Sequence, residues 1–298
     1  MKKLLFVMNP RAGHRKANRH LAEILAIFNR AGYRVDTYMT AGPGDGVQVV
    51  TRRAAKVDLV VCCGGDGTFN ETVTGMLQSD IQVPIGYIPA GSTNDFAASL
   101  HLPTNPVKAA QAIVEGQPMT YDVGRFGQRY FAYVASFGAF TRASYATPQS
   151  IKNALGHTAY ILEGITELPQ IHKTHVRLEL DGGRVVEDDF IFGAISNSTS
   201  VGGVLTLDPK QVDMRDGLFE LLLVRAPRDL AELGECIKAL RTHQYNCRMI
   251  TFLSASSVAV TADPHMCWTL DGEKEEGHHR VQVENLRHAI RLIQRTES

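Results

Sequence analysis

The sequence predicts an N-terminal α/β domain with a parallel sheet, followed by a C-terminal, mostly antiparallel β-sandwich domain. Over about the first 120 residues, short apolar runs alternate with segments of helical periodicity, the order typical of β-α-β units. From about Met119 onward, apolar and charged residues alternate instead, which is the period of half-exposed strands. This change predicts a first domain over residues 1–125 and a second over 126–285, with residues 286–298 packing back on the first.

The first domain is predicted to contain buried strands that alternate with amphipathic helices. Leu21, Ile24, Leu25 and Phe28 have the i, i+3, i+4, i+7 spacing of one helix face. Continuous apolar runs predict strands that are covered on both faces. The predicted order is strand Leu4–Met8, helix Ala17–Ala31, strand Tyr33–Met39, helix Val47–Lys56, strand Asp58–Cys63, helix Phe69–Leu77 and strand Val83–Ile88.

The second domain is predicted to consist mainly of strands joined by turns. Val176, Leu178 and Leu180 alternate with charged residues, and Asp181-Gly182-Gly183 supplies a turn. Helices are predicted at Arg228–Arg241 and within Ser144–Leu168. The predicted strands are Tyr121–Phe126, Tyr130–Phe137, His175–Leu180, Arg184–Ile195, Phe219–Val224, Arg248–Leu253, Val258–Ala262, Met266–Leu270 and Arg280–Val283.

Composition excludes several broad classes of protein. The chain has 298 residues, 44% of them hydrophobic, and equal numbers of acidic and basic residues, 31 of each. These values argue against a disordered chain and against a dedicated nucleic-acid binder, which usually carries a basic excess. The sequence contains no run of about 18 apolar residues, so we predict no membrane-spanning helix. The five cysteines have no metal-ligand spacing, so we expect free thiols in a reducing cytosol.

A glycine-rich loop follows the third predicted strand. Gly64, Gly65, Asp66, Gly67 and Thr68 lead directly into a helix. Glycines at such a position let backbone N–H groups approach phosphate oxygens, and the helix N-terminus favours negative charge. Asp66 would then act through Mg²⁺, which bridges carboxylate and phosphate. A tight strand-to-helix turn with a capping Asp or Thr explains the same spacing equally well. It is not a Walker-type loop, since no Gly-Lys-Ser/Thr follows.

Two other predicted strands end in similar small, polar loops. Residues 9–13 follow the first strand, and residues 89–97 follow the fourth. Because parallel strands end at the same edge of a sheet, the three loops together could form a nucleotide pocket. Each loop taken alone is compatible with ordinary turn chemistry.

These loops resemble the signature motifs of the diacylglycerol kinase catalytic-domain family, in its soluble bacterial lipid kinase branch. The resemblance runs almost end to end, in the expected order and at the expected spacing. Gly-Gly-Asp-Gly-Thr alone is shared with NAD kinases and phosphofructokinases, so the resemblance implies an NAD kinase/phosphofructokinase-like first domain. The motifs are Asn9-Pro10-Arg11-Ala12-Gly13, Gly64-Gly65-Asp66-Gly67-Thr68 with Asn70-Glu71, Pro89-Ala90-Gly91-Ser92-Thr93-Asn94-Asp95-Phe96-Ala97, Asp122-Val123-Gly124 and Leu270-Asp271-Gly272-Glu273.

The resemblance implies ATP as the phosphoryl donor and assigns its contacts. Thr40 also ends a predicted strand on the same sheet edge, although a strand-terminating hydroxyl is common. The implied ATP contacts are Asn9, Pro10, Arg11, Ala12, Gly13, Thr40, Gly65, Asp66, Gly67, Thr68, Phe69, Asn70, Glu71 and Thr93.

The resemblance also implies the catalytic residues. Glu273 would be the general base that accepts the proton of the lipid hydroxyl, and Asp66 and Asp95 would assist it. Asp-Gly before Glu273 is equally a strong hairpin signal, and both interpretations can hold at once. We expect Asp66, Asp95, Asp122 and Glu273 to converge on one cleft. Clustered carboxylates need Mg²⁺ or a basic partner to stay ionised.

A structural Mg²⁺ site is implied in residues 211–219. The side chain of Asp216 and the main-chain carbonyls of Asp213 and Leu218 would be the ligands, and Asp122 would reach the ion through water. Oxygen ligands suit Mg²⁺. An ordinary Asp-Gly turn before a strand is nearly as good an interpretation of Asp216-Gly217.

The sequence thus predicts a kinase that uses ATP and Mg²⁺ to phosphorylate diacylglycerol or a related hydroxyl lipid. We expect a cytoplasmic protein that is transiently and peripherally associated with the inner face of the membrane, without a nucleic-acid partner. An edge strand of the second domain could pair two copies into a homodimer. The alternatives are an NAD or small-polyol kinase that shares the Gly-Gly-Asp-Gly-Thr loop, and a non-catalytic nucleotide-binding module.

Overall fold

The chain folds into two compact units in a computed structural model. The structure describes residues 1–13, 16–138, 173–201, 205–245 and 247–295. Unit 1 comprises residues 1–123 and 287–298, and unit 2 comprises residues 124–286. The helix predicted within Ser144–Leu168 lies outside the described residues. The functions predicted for the two domains, nucleotide binding and lipid binding, stay predictions.

Unit 1 is an α/β unit with a parallel sheet. β3, β4 and the part of β1 from Leu4 to Met8 are apolar and buried, as expected for a sheet with both faces covered. β1 pairs in parallel with β2 and β3, and β3 pairs in parallel with β4. The elements are β1 (Lys2–Met8), α1 (Lys16–Arg19), α2 (Leu21–Arg30), β2 (Tyr33–Met39), α3 (Asp45–Arg53), β3 (Leu59–Gly64), α4 (Asp66–Gln78), β4 (Ile85–Pro89), α5 (Asp95–Ser99), α6 (Pro106–Glu115) and the first part of β5 (Gln117–Phe126).

The helices of unit 1 differ from the prediction in two places. The single helix predicted over Ala17–Ala31 is two helices, α1 and α2, separated at His20. Helix α6 is not part of the prediction. The Asn105 side chain accepts hydrogen bonds from the amides of Val107 and Lys108, and Pro106 occupies the first helical position. Both are start signals that the sequence contains.

The hydrophobic core of unit 1 includes a stack of three aromatic rings. The Phe69 ring lies 4.4 Å from that of Tyr87 and 4.5 Å from that of Phe96, measured between centroids. The three rings are almost fully buried. Since α4, β4 and α5 each contribute one ring, the stack fixes the starts of the two helices relative to the sheet.

Unit 2 is a mostly antiparallel β unit, as predicted. β9 is its central strand and pairs antiparallel with β7, β8 and β12. β14 joins β8 to the first part of β17, and β13 pairs with β12. The elements are the end of β5, β6 (Arg129–Phe131), β7 (Val134–Gly138), β8 (Thr174–Leu180), β9 (Val185–Ser196), β10 (Ser200–Val201), β11 (Leu205–Thr206), β12 (Phe219–Arg225), α7 (Leu230–Thr242), β13 (Ile250–Ala255), β14 (Ser257–Ala262), β15 (Trp268–Leu270), β16 (Glu273–Glu275) and β17 (Arg280–Gln294).

The core of unit 2 centres on Trp268 of β15. Its ring makes edge contacts with Phe126 and Phe137, at centroid distances of 4.9 and 5.0 Å. Alternating residues of β8, Val176, Leu178 and Leu180, point into the same cluster. The period-2 pattern seen in the sequence therefore marks the buried face of this strand.

Two strand predictions in unit 2 are wrong in extent. The strand predicted at Tyr130–Phe137 is two strands, β6 and β7, separated by Ala132 and Tyr133. The strand predicted at Arg280–Val283 is the first part of β17, which continues to Gln294 and pairs in parallel with β4 in unit 1 through Leu292 and Ile85. The described residues contain no helix that is both long and apolar enough to cross a membrane.

Candidate active site

Four loops lie at the carboxyl edge of the unit 1 sheet. They follow β1, β2, β3 and β4, which end at Met8, Met39, Gly64 and Pro89. Parallel pairing brings these strand ends together, because neighbouring strands run in the same direction. Ligands of open parallel sheets bind at this edge.

Glycines let three of these loops touch backbone to backbone. A Cβ added at Gly13 would lie far inside van der Waals distance of the Ala90 carbonyl oxygen, and the φ of Gly13 is +46°. A Cβ added at Gly91 would lie 2.5 Å from the Cα of Gly65. The loops after β1, β3 and β4 therefore contact one another through their backbones at this edge, where parallel sheets bind ligands.

Asn9 connects the loop after β1 to the start of α4. Its amide donates to the Cys63 carbonyl oxygen at 3.0 Å, and its Nδ2 donates to the Thr68 hydroxyl at 3.3 Å. Its Oδ1 accepts from the Arg11 amide at 2.9 Å. The Asn9 side chain is therefore engaged in fixing the loops that the sequence predicts to hold ATP.

Glu71 of α4 holds the loop after β2. Its two carboxylate oxygens accept hydrogen bonds from the amides of Gly44, at 2.6 Å, and Gly46, at 2.9 Å. These amides lie at the N-terminus of α3, where a negative charge is favoured by the helix dipole. Thr40, in the same loop, donates its amide to the Met8 carbonyl oxygen at 2.8 Å.

Asp66 and Asp95 lie at the starts of α4 and α5, close to the buried Tyr87. The pKa of the Tyr87 hydroxyl is raised well above its usual value, mainly by burial and further by the charges of Asp66 and Asp95, among others. Asp95 is only 4% exposed. Two carboxylates near one buried site create a negative potential that a cation would relieve.

The structure places the predicted ATP contacts of unit 1 along this edge, with different accessibility. Arg11 and Thr93 are exposed, and Gly65, Asp66, Gly67 and Asn70 are half-buried. The Phe69 ring is buried in the aromatic stack, and the Phe69 amide donates to the Gly65 carbonyl oxygen at 3.0 Å. Phe69 therefore shapes the site from the core.

Asp122 is fully buried in β5. It accepts a hydrogen bond from the His288 amide at 2.7 Å, and both residues belong to unit 1. This contact ties β5 to β17 within that unit.

Glu273 follows a tight hairpin in unit 2. Asp271 and Gly272, with φ of 49° and 83°, connect β15 to β16, as their Asp-Gly sequence predicts. The Glu273 side chain is 59% exposed, and one of its oxygens lies 3.4 Å from a guanidinium nitrogen of Arg129. An exposed ion pair of this kind contributes about 0–1 kcal/mol, so it leaves the Glu273 carboxylate available for other contacts.

Asp271 anchors this hairpin, a role absent from the sequence predictions. Its carboxylate accepts hydrogen bonds from the amides of Ala132, Tyr133 and Val134, at 2.5, 3.0 and 3.1 Å. Three backbone donors to one buried carboxylate hold the turn firmly. Asp271 therefore positions the chain from which Glu273 projects.

The predicted metal ligands Asp213, Asp216 and Leu218 lie in one turn of unit 2 before β12. Asp216 accepts from the Leu218 amide at 2.8 Å, and the Leu218 carbonyl oxygen accepts from Asn285 at 2.9 Å. Each of these oxygens retains a second lone pair. No cluster of three His, Cys, Asp or Glu side chains able to hold a metal occurs in the described parts of the chain, so a site here depends on main-chain oxygens.

The buried carboxyl group of Glu220 indicates that a hard cation would fit near this turn. Glu220 is 2% exposed, and one of its oxygens has no hydrogen-bond partner among the described residues. Burial, together with the charge of Asp216, raises the pKa of Glu220 to about 8. A bound cation would favour the ionised form of this carboxyl group, and oxygen donors suit Mg²⁺.

Known protein families match both parts of the chain. The diacylglycerol kinase catalytic domain model matches residues 3–126, and the YegS C-terminal NAD kinase beta sandwich-like domain model matches residues 134–294. The diacylglycerol kinase of Bacillus subtilis (strain 168) is 34% identical over 279 residues, which cover 92% of this chain and 90% of that protein. The chain belongs to the diacylglycerol kinase family.

Solved structures confirm the predicted fold class. A diacylglycerol kinase from Bacillus anthracis str. Sterne is 23% identical, covers 98% of this chain and 97% of its own, and has a TM-score of 0.77. The yeast NADH kinase, 12% identical, covers all of this chain and 84% of its own with a TM-score of 0.50, which shows a related fold only. As a member of this family the chain is an enzyme of the kinase class.

Replacing Glu71 by Gln is expected to loosen the loop after β2. The amide group of Gln can accept from only one of the two glycine amides, and its own NH₂ faces the other. We expect a loss of about 1–3 kcal/mol in the free energy of unfolding. Amide hydrogen exchange at Gly44 and Gly46, which Glu71 holds at 2.6 and 2.9 Å, is expected to accelerate.

Glu115→Gln is the matched control, because Glu115 makes one exposed ion pair with Arg295 at 3.4 Å. This control is expected to change the unfolding free energy by about 0–1 kcal/mol. Unchanged exchange at both glycines in the Glu71 variant would show that Glu71 does not hold this loop.

Proposed function

We propose that this chain is an ATP- and Mg²⁺-dependent lipid kinase that transfers the γ-phosphoryl group to a hydroxyl of diacylglycerol or a related lipid. The observation that carries the proposal is the backbone contact of three glycine loops at the carboxyl edge of the unit 1 sheet. Membership in the diacylglycerol kinase family, through a relative named diacylglycerol kinase, supports the same reaction.

The loops after β1, β3 and β4 are proposed to hold the phosphates of ATP. The loops lie close together, and α4 begins at Asp66 with its N-terminus toward the same edge, where a helix favours a phosphate. Thr40 and Thr93 contribute hydroxyl groups, and Arg11 contributes an exposed positive charge. Glu71 acts indirectly in this proposal, through the loop after β2.

The carboxylates Asp66 and Asp95 are proposed to favour Mg²⁺ binding with ATP at this edge. When bound, Mg²⁺ neutralises phosphate charge as it develops during transfer. The two carboxylates lie close enough to Tyr87 to raise the pKa of its hydroxyl, which supports their proximity to each other. Asp213, Asp216 and Leu218 are proposed to hold a second, structural Mg²⁺. The contact of Asp122 with this ion through water stays a prediction.

Glu273 is proposed as the general base for the acceptor hydroxyl. Phosphoryl transfer needs mainly orientation and charge neutralisation, and a carboxylate can orient a hydroxyl and accept its proton. Its hairpin is held by Asp271, and its side chain is exposed, which supports a role in contact with a ligand.

A lipid acceptor requires access to a membrane surface. We propose that the protein is cytoplasmic and binds the inner face of the membrane peripherally and transiently, and that it has no nucleic-acid partner. Pairing of two copies through an edge strand of unit 2 stays a prediction.

The proposal is tested with the purified protein, γ-labelled ATP, Mg²⁺ and a panel of hydroxyl lipids in mixed micelles. We expect label in the lipid fraction with diacylglycerol or a related acceptor, and its loss when Mg²⁺ is chelated. A parallel reaction with NAD⁺ tests the alternative kinase. Label in NADP⁺ but in no lipid would overturn the proposal, and ATP binding without transfer to any acceptor would indicate a nucleotide-binding module instead.

A further inference from the structure

Unit 2 contains a cavity of about 680 Å³ that none of the predicted site residues lines. Most of its walls come from Asp188, Asp189 and Ile191 of β9, from residues 225–228 at and after the end of β12, and from residues 248–249 before β13. Lys173 and Glu232 complete the lining. Its volume lies in the range of about 300–1,000 Å³ that is typical of small-molecule sites.

The cavity lies at the opposite end of β9 from the Glu273 hairpin. The hairpin strand β15 pairs at Leu270 with Ala135 of β7, and Ala135 pairs with Ile195 of β9. Asp189 lines the cavity six residues before Ile195. At about 3.3 Å per residue the two positions are about 20 Å apart along the strand. The cavity is therefore separate from the proposed catalytic base.

The carboxylates of this cavity already have partners within the protein. Asp188 pairs with Arg225 at 3.0 Å, and Asp189 pairs with Lys173 at 2.7 Å. Hydrogen bonds from Lys173 and then from His175 lower the pKa of Asp189. Glu232 of α7 accepts from the Arg228 amide at 2.7 Å. The three carboxylates therefore have donors other than the guanidinium groups of Arg228 and Arg248, which also line the cavity.

Two arginines of the same cavity are left without such partners. The side chains of Arg228 and Arg248 are exposed, and within the described ranges neither guanidinium group makes an ion pair or a hydrogen bond. Each guanidinium group offers five N–H donors in a planar fork. Two such groups facing one cavity give an excess of positive charge and of unused donors, which an anionic ligand would satisfy.

We propose that this cavity binds a phosphate group of a small ligand through the guanidinium groups of Arg228 and Arg248. A phosphate offers several oxygens to two guanidinium forks at once, which favours it over a single planar carboxylate. The buried side chains of Ile191 and Met249 supply an apolar wall for the rest of the ligand. The phosphate belongs either to a phospholipid headgroup or to a free phosphate compound. The site goes beyond the kinase reaction and does not depend on it.

The first experiment titrates inorganic phosphate into the whole protein and follows the backbone amide NMR shifts of residues 225, 226, 228, 248 and 249. We expect saturable shifts at these positions in the wild-type protein. The Arg228→Gln/Arg248→Gln variant is expected to bind about 100-fold more weakly, at about tenfold for each charge-assisted contact. Reading the cavity amides separates this site from any phosphate bound by the loops of unit 1.

Arg34→Gln/Arg184→Gln is the matched control, since both arginines are exposed and lie away from the cavity walls. The control removes the same charge, so we expect it to keep the wild-type shifts. All four substitutions are at exposed positions, where effects on stability are usually within about 0.5 kcal/mol.

A second experiment identifies the source of the phosphate by cosedimentation with phosphatidylcholine vesicles, with and without phosphatidic acid. A lipid headgroup is the ligand if the protein binds vesicles with phosphatidic acid more strongly than vesicles without it, and if only the Arg228/Arg248 variant loses this difference. Saturable phosphate shifts without such vesicle binding assign it to a free phosphate compound. The proposal is overturned if inorganic phosphate produces no saturable shift at the cavity and vesicle binding is the same in both variants. It is equally overturned if the control loses as much binding as the Arg228/Arg248 variant.

Discussion

Replacing Gly13 by Ala is expected to weaken ATP binding by about 10- to 100-fold. A displacement of about 1 Å in an active site can lower the reaction rate about 100-fold, and we expect a loss of similar size in ATP affinity. The added Cβ would overlap the Ala90 carbonyl oxygen. The backbone of residue 13 fixes the position of the Cβ and the oxygen is itself part of the backbone, so no side-chain rotation removes the overlap. The φ of +46° at Gly13 adds strain for any residue with a side chain. The loops after β1 and β4 must therefore separate.

The effect is measured by calorimetric titration of ATP with Mg²⁺ present. Gly42→Ala is the matched control, because a Cβ there meets nothing within 4 Å, and Gly42 lies in the loop after β2 of the same unit. Thermal unfolding of both variants separates loss of binding from loss of fold. Wild-type ATP affinity in Gly13→Ala would show that contact between these loops is not needed for the nucleotide site.

The strand ends and their loops could be predicted from the sequence because their signals are local. Gly64-Gly65 follows a continuous apolar run and precedes a helix start, all within a few residues. Parallel pairing then follows from the β-α-β order, and it places the loops after β1, β3 and β4 on one edge. The contact of Gly13 with Ala90 is the consequence of that topology.

The supporting contacts could not be predicted, because their partners are far apart in the chain. The motif predicts an ATP contact for Glu71, and the structure shows Glu71 accepting hydrogen bonds from amides of a loop more than 20 residues earlier. Asp271 binds the amides of residues 132–134, more than 130 positions away. A sequence pattern contains no information about such pairs until the fold brings them together.

Phe69 shows that a residue of a predicted nucleotide motif can have a packing role. The motif predicts an ATP contact at Phe69, which stays a prediction, and the Phe69 ring lies between those of Tyr87 and Phe96 in the core. An apolar residue at this position is explained by packing, because α4 has to be fixed against β4 and α5.

Replacing Glu273 by Gln is expected to lower kcat by about 100- to 10,000-fold, the usual contribution of a general base. Gln has nearly the same shape but cannot accept a proton, so the hairpin held by Asp271 should keep its structure. ATP affinity is expected to stay at the wild-type value, since the nucleotide loops belong to unit 1 and Glu273 belongs to unit 2. Turnover with the preferred lipid and calorimetric ATP binding measure the two effects separately.

The chain supplies two controls beside Glu273. Glu276 is an exposed carboxylate three residues later, and its replacement by Gln removes the same charge. Glu275 pairs with the same arginine, Arg129, at 2.5 Å, so Glu275→Gln tests whether that ion pair matters by itself. We expect both controls to turn over within about twofold of the wild-type rate, because neither side chain is proposed to contact the acceptor hydroxyl. A Glu273→Gln enzyme as active as these controls would remove Glu273 as the base, and the proton would then have to leave by another group.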